Sequence, residues 1–399
     1  MINQRTAECR RRKDPSERIA KVKNIIVAAI AVVCLLGASG TSASSFEDEW
    51  SKLIAAAKKE GRVVVAAGGQ PSRQYRPVLE VFQKKFGIKA EISTGGARDT
   101  INRVLAERKA KVYSFDVALI SVRINNLRLV PLGALIPLSP LLIHPEVVNT
   151  SNWYGNKHWY GDKDLKHTFI YHASVEDDYE SWYNTDKIKE KEMRTIKGQW
   201  DFFDPRWKGK IQGQGMGDPS GIRQMIDSWY ERERGPKWVK TYLTEGGVTF
   251  AEDRRILETW LVSGRFPLRA VSSSETELRV LAKKGLPVKS WFLPRQEGIL
   301  RATGSGCCIS VFDNAPHPNA VKLFVNWFLS KEGQTLTHEL IPALDRASMR
   351  TDVSWGKVIE DQRRDNSKTY RFPDAEPGSA VKYQEAQKEI MKIWDARKK

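Results

Sequence analysis

Two spacings of apolar residues alternate along the chain. In Phe46–Lys59 (FEDEWSKLIAAAKK), Trp50, Leu53, Ile54 and Ala57 fall on one face of a helix. Gly61 ends it, and the unbroken apolar run RVVVAA reads as a short buried strand. After the loop GGQPSRQ, helical spacing returns with Val78, Leu79, Phe82 and Phe86, and Gly87 closes that helix. Strand Ile88–Ser93, loop Thr94–Gly96, a helix carrying Ile101, Val104 and Leu105, and strand Phe115–Ile120 follow. This β-α-β-α-β run predicts a parallel sheet with helices on both faces.

The same rhythm recurs further on. Strand KGKIQ leads through GQGMGDPSG into a helix over Ile222–Glu233, and a second helix spans Pro236–Leu243. Strand VTF, helix Asp253–Ser263, strand FPLRAV, loop SSSE, helix Thr276–Lys284 and strand PVKSWF come next. The pattern predicts two α/β lobes of similar size. The tail after about residue 345 is polar and is expected to wrap a lobe with one or two helices.

The start of the chain has a different character. Residues 1–24 are strongly basic, and Ile25–Gly37 (IIVAAIAVVCLLG) is an apolar run of 13 residues. That is short for a bilayer span and suits the core of a secretory signal. Thr41 and Ala43 supply small residues for cleavage before Ser44, so 1–43 reads as a signal peptide and the mature protein as periplasmic. The whole chain has a formal charge of +17; residues 1–43 hold eight Lys/Arg and three Asp/Glu, which leaves the remainder at +12. The basic residues are scattered beside acidic ones, as in ERERGPKWVK, so the charge fits a solvated surface or an anion cleft better than nucleic acid. Of four cysteines, Cys9 and Cys34 leave with the signal, and the adjacent Cys307 and Cys308 cannot form an unstrained disulfide. In GCCISVF they read as small buried strand residues.

Several strands end in a Gly-, Ser- or Thr-rich loop that starts a helix: GGQPSRQ, TGGARD, GDPSG and SSSE. Open α/β sheets bind ligands beyond the carboxyl ends of their strands, and helix N-termini favour anions. One such loop is an ordinary turn; four in two lobes suggest a cleft.

At this point the residues resemble the iron(III)-type branch of the periplasmic solute-binding proteins that serve ABC importers. The resemblance covers about residues 46–335. It rests on WSKLIAAAKKEGRVVV, TGGARDTINRVLAERKA with FDVAL, SNWYGNKHWYGD, SWYNTD, WDFFDPRWKGKI, GLPV and APHPNAVKLFVNWFLSKEGQ, in that order. It implies a two-lobed type 2 periplasmic-binding-protein fold: each lobe a mostly parallel sheet flanked by helices, hinged by crossing strands near Thr168–Asn184 and Arg301–Ser310. The lobes are then 44–167 plus 305–345 and 168–304 plus 346–399. The implied role is capture of a small-molecule ligand for a permease in the inner membrane, by a monomer without cofactor or enzymatic activity.

In iron-binding members of that family, adjacent second-lobe tyrosines supply phenolate ligands. The matching loop here is Ala270–Glu275, AVSSSE, without tyrosine, and the first-lobe loop Gly68–Ser72 lacks histidine. An organic anion such as a carboxylate or phosphate ester is the expected ligand, with a polyol second and ferric iron as the alternative. Expected contacts are Gly69, Ser72, Gly95, Gly96, Ser220, Ser272 and Ser273, with Arg98 as charge partner and Glu275 as a countervailing charge. Arg123 and Arg223 also lie near cleft loops.

Other readings compete. A secreted hydrolase or transferase would need a nucleophile–base pair, but GQGMGD has Asp218 where a dinucleotide loop needs its third glycine, and HELIP has Pro342 at the second metal histidine. His158, His167 and His172, followed by Glu176, Asp177 and Asp178, match no metal spacing, and these acids read as solvated. Trp153, Tyr154, Trp159 and Tyr160 could stack on a sugar, but buried aromatics are mostly core, and an inter-lobe corner is the favoured reading.

Overall fold

The computed structural model describes residues 45–67, 71–93, 97–272, 276–302, 306–341 and 344–397. The proposed signal peptide lies outside them. A helix over 45–60 leads into β1 (Arg62–Ala67), followed by β2 (Lys89–Ile92), β3 (Val117–Leu119), β4 (Leu135–Ile136) and β5 (Phe169–Ile170). The chain then runs through β6 (His172–Asn184), β7 (Ile211–Gln214), β8 (Thr249–Ala251), β9 (Leu268–Arg269) and β10 (Val288–Arg301). It returns as β11 (Cys308–Phe312) and ends with β12 (Ala347–Ser348) and a helix over Ser379–Ala396.

The strands form two sheets. The first has the order β2-β1-β3-β11-β4 with β5 also on β11, and the second β10-β6-β9-β7-β8 with β12 on β6. β1 is parallel to β2 and β3, and β7 is parallel to β8 and β9, as the βα rhythm requires. β11 and β6 enter antiparallel because the chain arrives from the other sheet. Helix Arg76–Phe86 buries Val78, Leu79, Phe82 and Phe86, and Gly87 stops it in the left-handed conformation.

Two long antiparallel strands join the sheets. β6 has 13 residues and β10 has 14; they pair from Val288↔Asn184 to Arg301↔Ser174, with a register break between Pro294 and Ile299. The PVKSWF strand is therefore only the start of a crossing strand. The tail braces this hinge. Gln362 receives the Val175 N–H at 2.8 Å and donates to its carbonyl at 3.1 Å, while the Arg371 backbone bridges Gly298 and Leu300 on β10.

One large core joins the first sheet to Ala347, Met349, Val358, Tyr370 and Phe372 of the tail. A second joins the second sheet to Tyr383, Ala386, Ile390 and Trp394. The tail expected to side with the second lobe is therefore split. Ala347, Met349, Val358, Tyr370 and Phe372 join the first core although β12 pairs with β6, and the final helix packs with the second core, because its apolar residues recur at helical spacing.

Candidate functional site

The carboxyl ends of β1, β2 and β3 share one edge of the first sheet, and small polar side chains tie them. Ser93 Oγ accepts from the Ala67 N–H at 2.9 Å and donates to its carbonyl, and Thr100 Oγ1 donates to the same carbonyl at 3.0 Å. Beyond β3, Ser121 caps the turn Val122–Ile124, and Arg123 reaches Gln387 of the C-terminal helix. Tyr75, after the β1 loop, donates its hydroxyl to the Gly306 carbonyl at 2.9 Å and accepts from Tyr171 at 3.1 Å. Burial pushes the pKa of both phenols up. Arg346, ion-paired to Asp345 at 2.9 Å, lies close enough to Tyr75 and Cys307 to interact with both electrostatically.

In the second sheet the loop after β7 starts the helix Pro219–Trp229. Asp218 caps it, accepting the Ser220 N–H at 2.7 Å and the Ser220 hydroxyl, while Glu252 accepts the Asp218 N–H at 3.0 Å. Gly221 lets the helix start touch the strand: a Cβ there would lie 2.2 Å from the Gly215 carbonyl oxygen. Two carboxylates thus already occupy a terminus that would otherwise attract an anion. At the end of β9, the buried Ser272 Oγ has no hydrogen-bond partner among the described residues.

Between this helix and the hinge strands lies a cluster of charges. Arg301, at the end of β10, is 3% exposed and sits 3.5 Å from Glu176, 3.5 Å from Asp227 and 3.4 Å from Glu231. Arg295 adds contacts to Glu176 at 3.1 Å and Glu231 at 3.0 Å, and stacks over Tyr179. Asp374 from the tail accepts the Ala302 N–H at 2.9 Å. Burial works against the charge of Glu176, but Arg301 and Arg295 outweigh it and hold the pKa below the ordinary value. For Asp227 burial wins over Arg301 and Arg223, and its pKa is pushed up to about 6.

No family model matches the chain, and no curated protein gives a match. Solved structures do. Ferric iron-binding protein A of Mannheimia haemolytica, in an open conformation, shares 14% identity over 85% of this chain and 98% of its own, with a TM-score of 0.58. IdiA (FutA) of Trichodesmium, in complex with iron and citrate, shares 15% over 84% and 99%, with a TM-score of 0.58. AfuA of Actinobacillus pleuropneumoniae, with fructose-6-phosphate bound, shares 16% over 84% and 98%, with a TM-score of 0.53. The fold is that of the periplasmic binding proteins.

Within this periplasmic-binding fold the expected contacts are distributed unevenly. Gly69, Gly95, Gly96 and Ser273, with Glu275, lie outside the described residues. Ser72 and Arg98 fall in the helices Pro71–Gln74 and Ala97–Lys109 that follow the β1 and β2 loops. Ser220 and Ser272 both stand at strand ends of the second sheet, but the Ser220 hydroxyl is committed to Asp218. The acids of β6 are not all solvated as expected, since Glu176 is bound by two arginines. Sequence reasoning missed that cluster because Arg295 and Arg301 are remote from their partners along the chain. The spacing of Arg223, Asp227 and Glu231, one helical turn apart, was the available signal.

The aromatic segment is a corner. Trp153 is 1% exposed and donates to the Val147 carbonyl at 3.0 Å; Trp159 donates to the Tyr154 carbonyl at 2.7 Å and stacks on the Tyr154 ring. Gly155 supplies the left-handed turn, with φ of 69°. The histidines have protein partners: His158 the Val147 carbonyl, His167 Asp162, and His172 the Tyr75 hydroxyl. Among the described residues no group of three or more His, Cys, Asp or Glu could hold a metal ion.

Proposed function

We propose that this chain is the solute-binding component of an ABC importer, exported by its signal peptide and working in the periplasm as a monomer with an inner-membrane permease. Lobe boundaries near residues 168 and 304 follow the two crossings. The observation that carries this reading is the pair of sheets joined by β6 and β10, with helix-starting loops at the strand ends of both. The solved neighbours are binding proteins, which favours capture over catalysis.

The ligand is a small organic anion, held by charge on the first lobe and by hydroxyl and backbone groups on the second. Arg98, on the helix Ala97–Lys109 after the β2 loop, is the proposed charge partner, and Asp218 and Glu252 make the second-lobe helix start acidic. Ferric iron is the second reading, motivated by the iron-binding neighbours; the buried, hydrogen-bonded phenols of Tyr75 and Tyr171 weigh against it. Calorimetry against sugar phosphates, small organic acids, ferric citrate and free iron tests the reading. The expected result is saturable binding of an organic anion, with a smaller radius of gyration on binding. Chelator-resistant iron with a tyrosinate charge-transfer band would overturn it.

A further inference from the structure

We propose that the register break in β10 forms a second binding site, separate from the inter-lobe loops, for the head group of a small α-amino acid. Pro294 pairs with Asp178 and Ile299 with Glu176, so four residues of β10, Arg295 to Gly298, stand opposite the single residue Asp177 of β6. The longer strand arches away from its partner there, as at a β-bulge. Two bonds fix the arch: the Gln296 N–H donates to Glu233 at 3.0 Å, just past helix Pro219–Trp229, and the Gly298 carbonyl accepts from the Arg371 N–H of the tail at 3.0 Å. Between arch and helix end lies a cavity of about 170 Å³. That is far more than one water needs (~10–15 Å³) and less than the ~300–1,000 Å³ of pockets for drug-sized ligands. None of the described cleft-loop residues lines it, and Glu231 on its wall is about 15 Å from Ser220 along the helix direction.

The inner wall is polar and fixed. The side chains of Glu231 and Arg295 are 3% and 7% exposed. Arg295 is held in place by stacking 3.8 Å over the Tyr179 ring and by donating from Nη2 to Glu176 at 3.1 Å. Its Nη1 stands 3.0 Å from Glu231 Oε1, yet makes no hydrogen bond among the described residues. Glu231 Oε2 accepts none either, its ion-pair partner Arg234 being 3.5 Å away. A buried donor and a buried acceptor on adjacent groups therefore both retain bonding capacity towards the cavity. The carboxylate and ammonium of an α-amino acid are adjacent in the same way, so one can pair with Arg295 while the other pairs with Glu231. The charges of the lining agree with this choice. Arg232, Arg295 and Arg371 balance Glu231, Glu233 and Glu297, so an ion of either sign meets repulsion as well as attraction, whereas an oriented zwitterion pairs at both ends. The buried Ile299 offers an apolar wall to a small side chain, and the exposed Arg232 and Gln296 stand at the mouth. This inference is independent of what the cleft binds.

The test is calorimetric titration of the protein starting at Ser44 with glycine, alanine and serine, and with acetate and methylammonium as single-charge analogues. At least one amino acid is expected to bind saturably and at least tenfold more tightly than either analogue. Gln296→Trp, at an exposed position of the mouth, should weaken that binding about tenfold without changing Tm, and Arg98→Ala in the first lobe should leave it unaltered. Glu231→Gln should weaken it at least as much; if that variant does not fold, Gln296→Trp decides. Absence of binding by all three amino acids, equal binding of acetate or methylammonium, or full binding in Q296W overturns the proposal. So does an amino acid whose binding is lost in R98A, since that ligand sits in the cleft.

Discussion

Arg123, on the turn after β3, donates its guanidinium to the side-chain carbonyl of Gln387 on the C-terminal helix. That helix packs Ile390 and Trp394 into the second core, so the bond spans the two halves of the molecule. A double-mutant cycle with Arg123→Ala and Gln387→Ala should give a coupling of about 1.5 kcal/mol in urea unfolding, because one partner is charged. Additive single effects would mean that the bond contributes nothing.

Trp153 distinguishes a corner from a sugar platform. Trp153→Ala removes a fully buried ring and leaves the Val147 carbonyl without its donor, at a cost of about 3–5 kcal/mol. Denaturant midpoints measure this. A platform residue would leave stability near wild type.

Acid should destabilise the protein. His172 and His338 are buried and their pKa values lie below the ordinary 6.5, burial being the main cause for each. The unfolded chain therefore takes up protons that the folded one refuses as pH drops through 6.5, and stability falls by up to about 1.4 kcal/mol per pH unit for each histidine. Asp227 has the opposite sign: its folded pKa of about 6 exceeds the ordinary 3.8, so protonation favours the folded state from about pH 6 downward. The expected result is a net loss between pH 7 and 5, shallower in His338→Gln. Unfolding free energies across that range check it, and a flat wild-type profile would contradict it.

The two described cysteines should be silent in the native state. Cys307 and Cys308 are buried, and the Cys307 thiol donates to the Ala302 carbonyl at 3.2 Å. In protein starting at Ser44, Ellman's reagent should find no rapidly reacting thiol before denaturation and both afterwards. Rapid native labelling would show that the β11 entry opens readily.

The helices were legible where burial follows a helical period, as in Val78, Leu79, Phe82 and Phe86, and the helix stop at Gly87 followed from its conformational freedom. β6 was harder. Its run of Glu176, Asp177, Asp178 and Glu180 looks like solvated surface until arginines from β10 and the helix Thr276–Lys283 neutralise part of it. The tail carried little strand signal because its pairing with the hinge uses the two-residue β12, a side chain, Gln362, and a single bridging residue, Arg371. Non-local partners of this kind leave no trace in local spacing.

The place of β11 has a consequence for how the molecule is made. It lies between β3 and β4, pairing Val311 with Val117 and Phe312 with Leu135, yet it is synthesised after every strand from β6 to β10. An amino-terminal fragment ending before Cys308 leaves β3 and β4 with open edges on either side of a missing strand. The first lobe is consequently assembled last at its centre, and a ribosome must deliver β6 to β10 of the second sheet before the first can close.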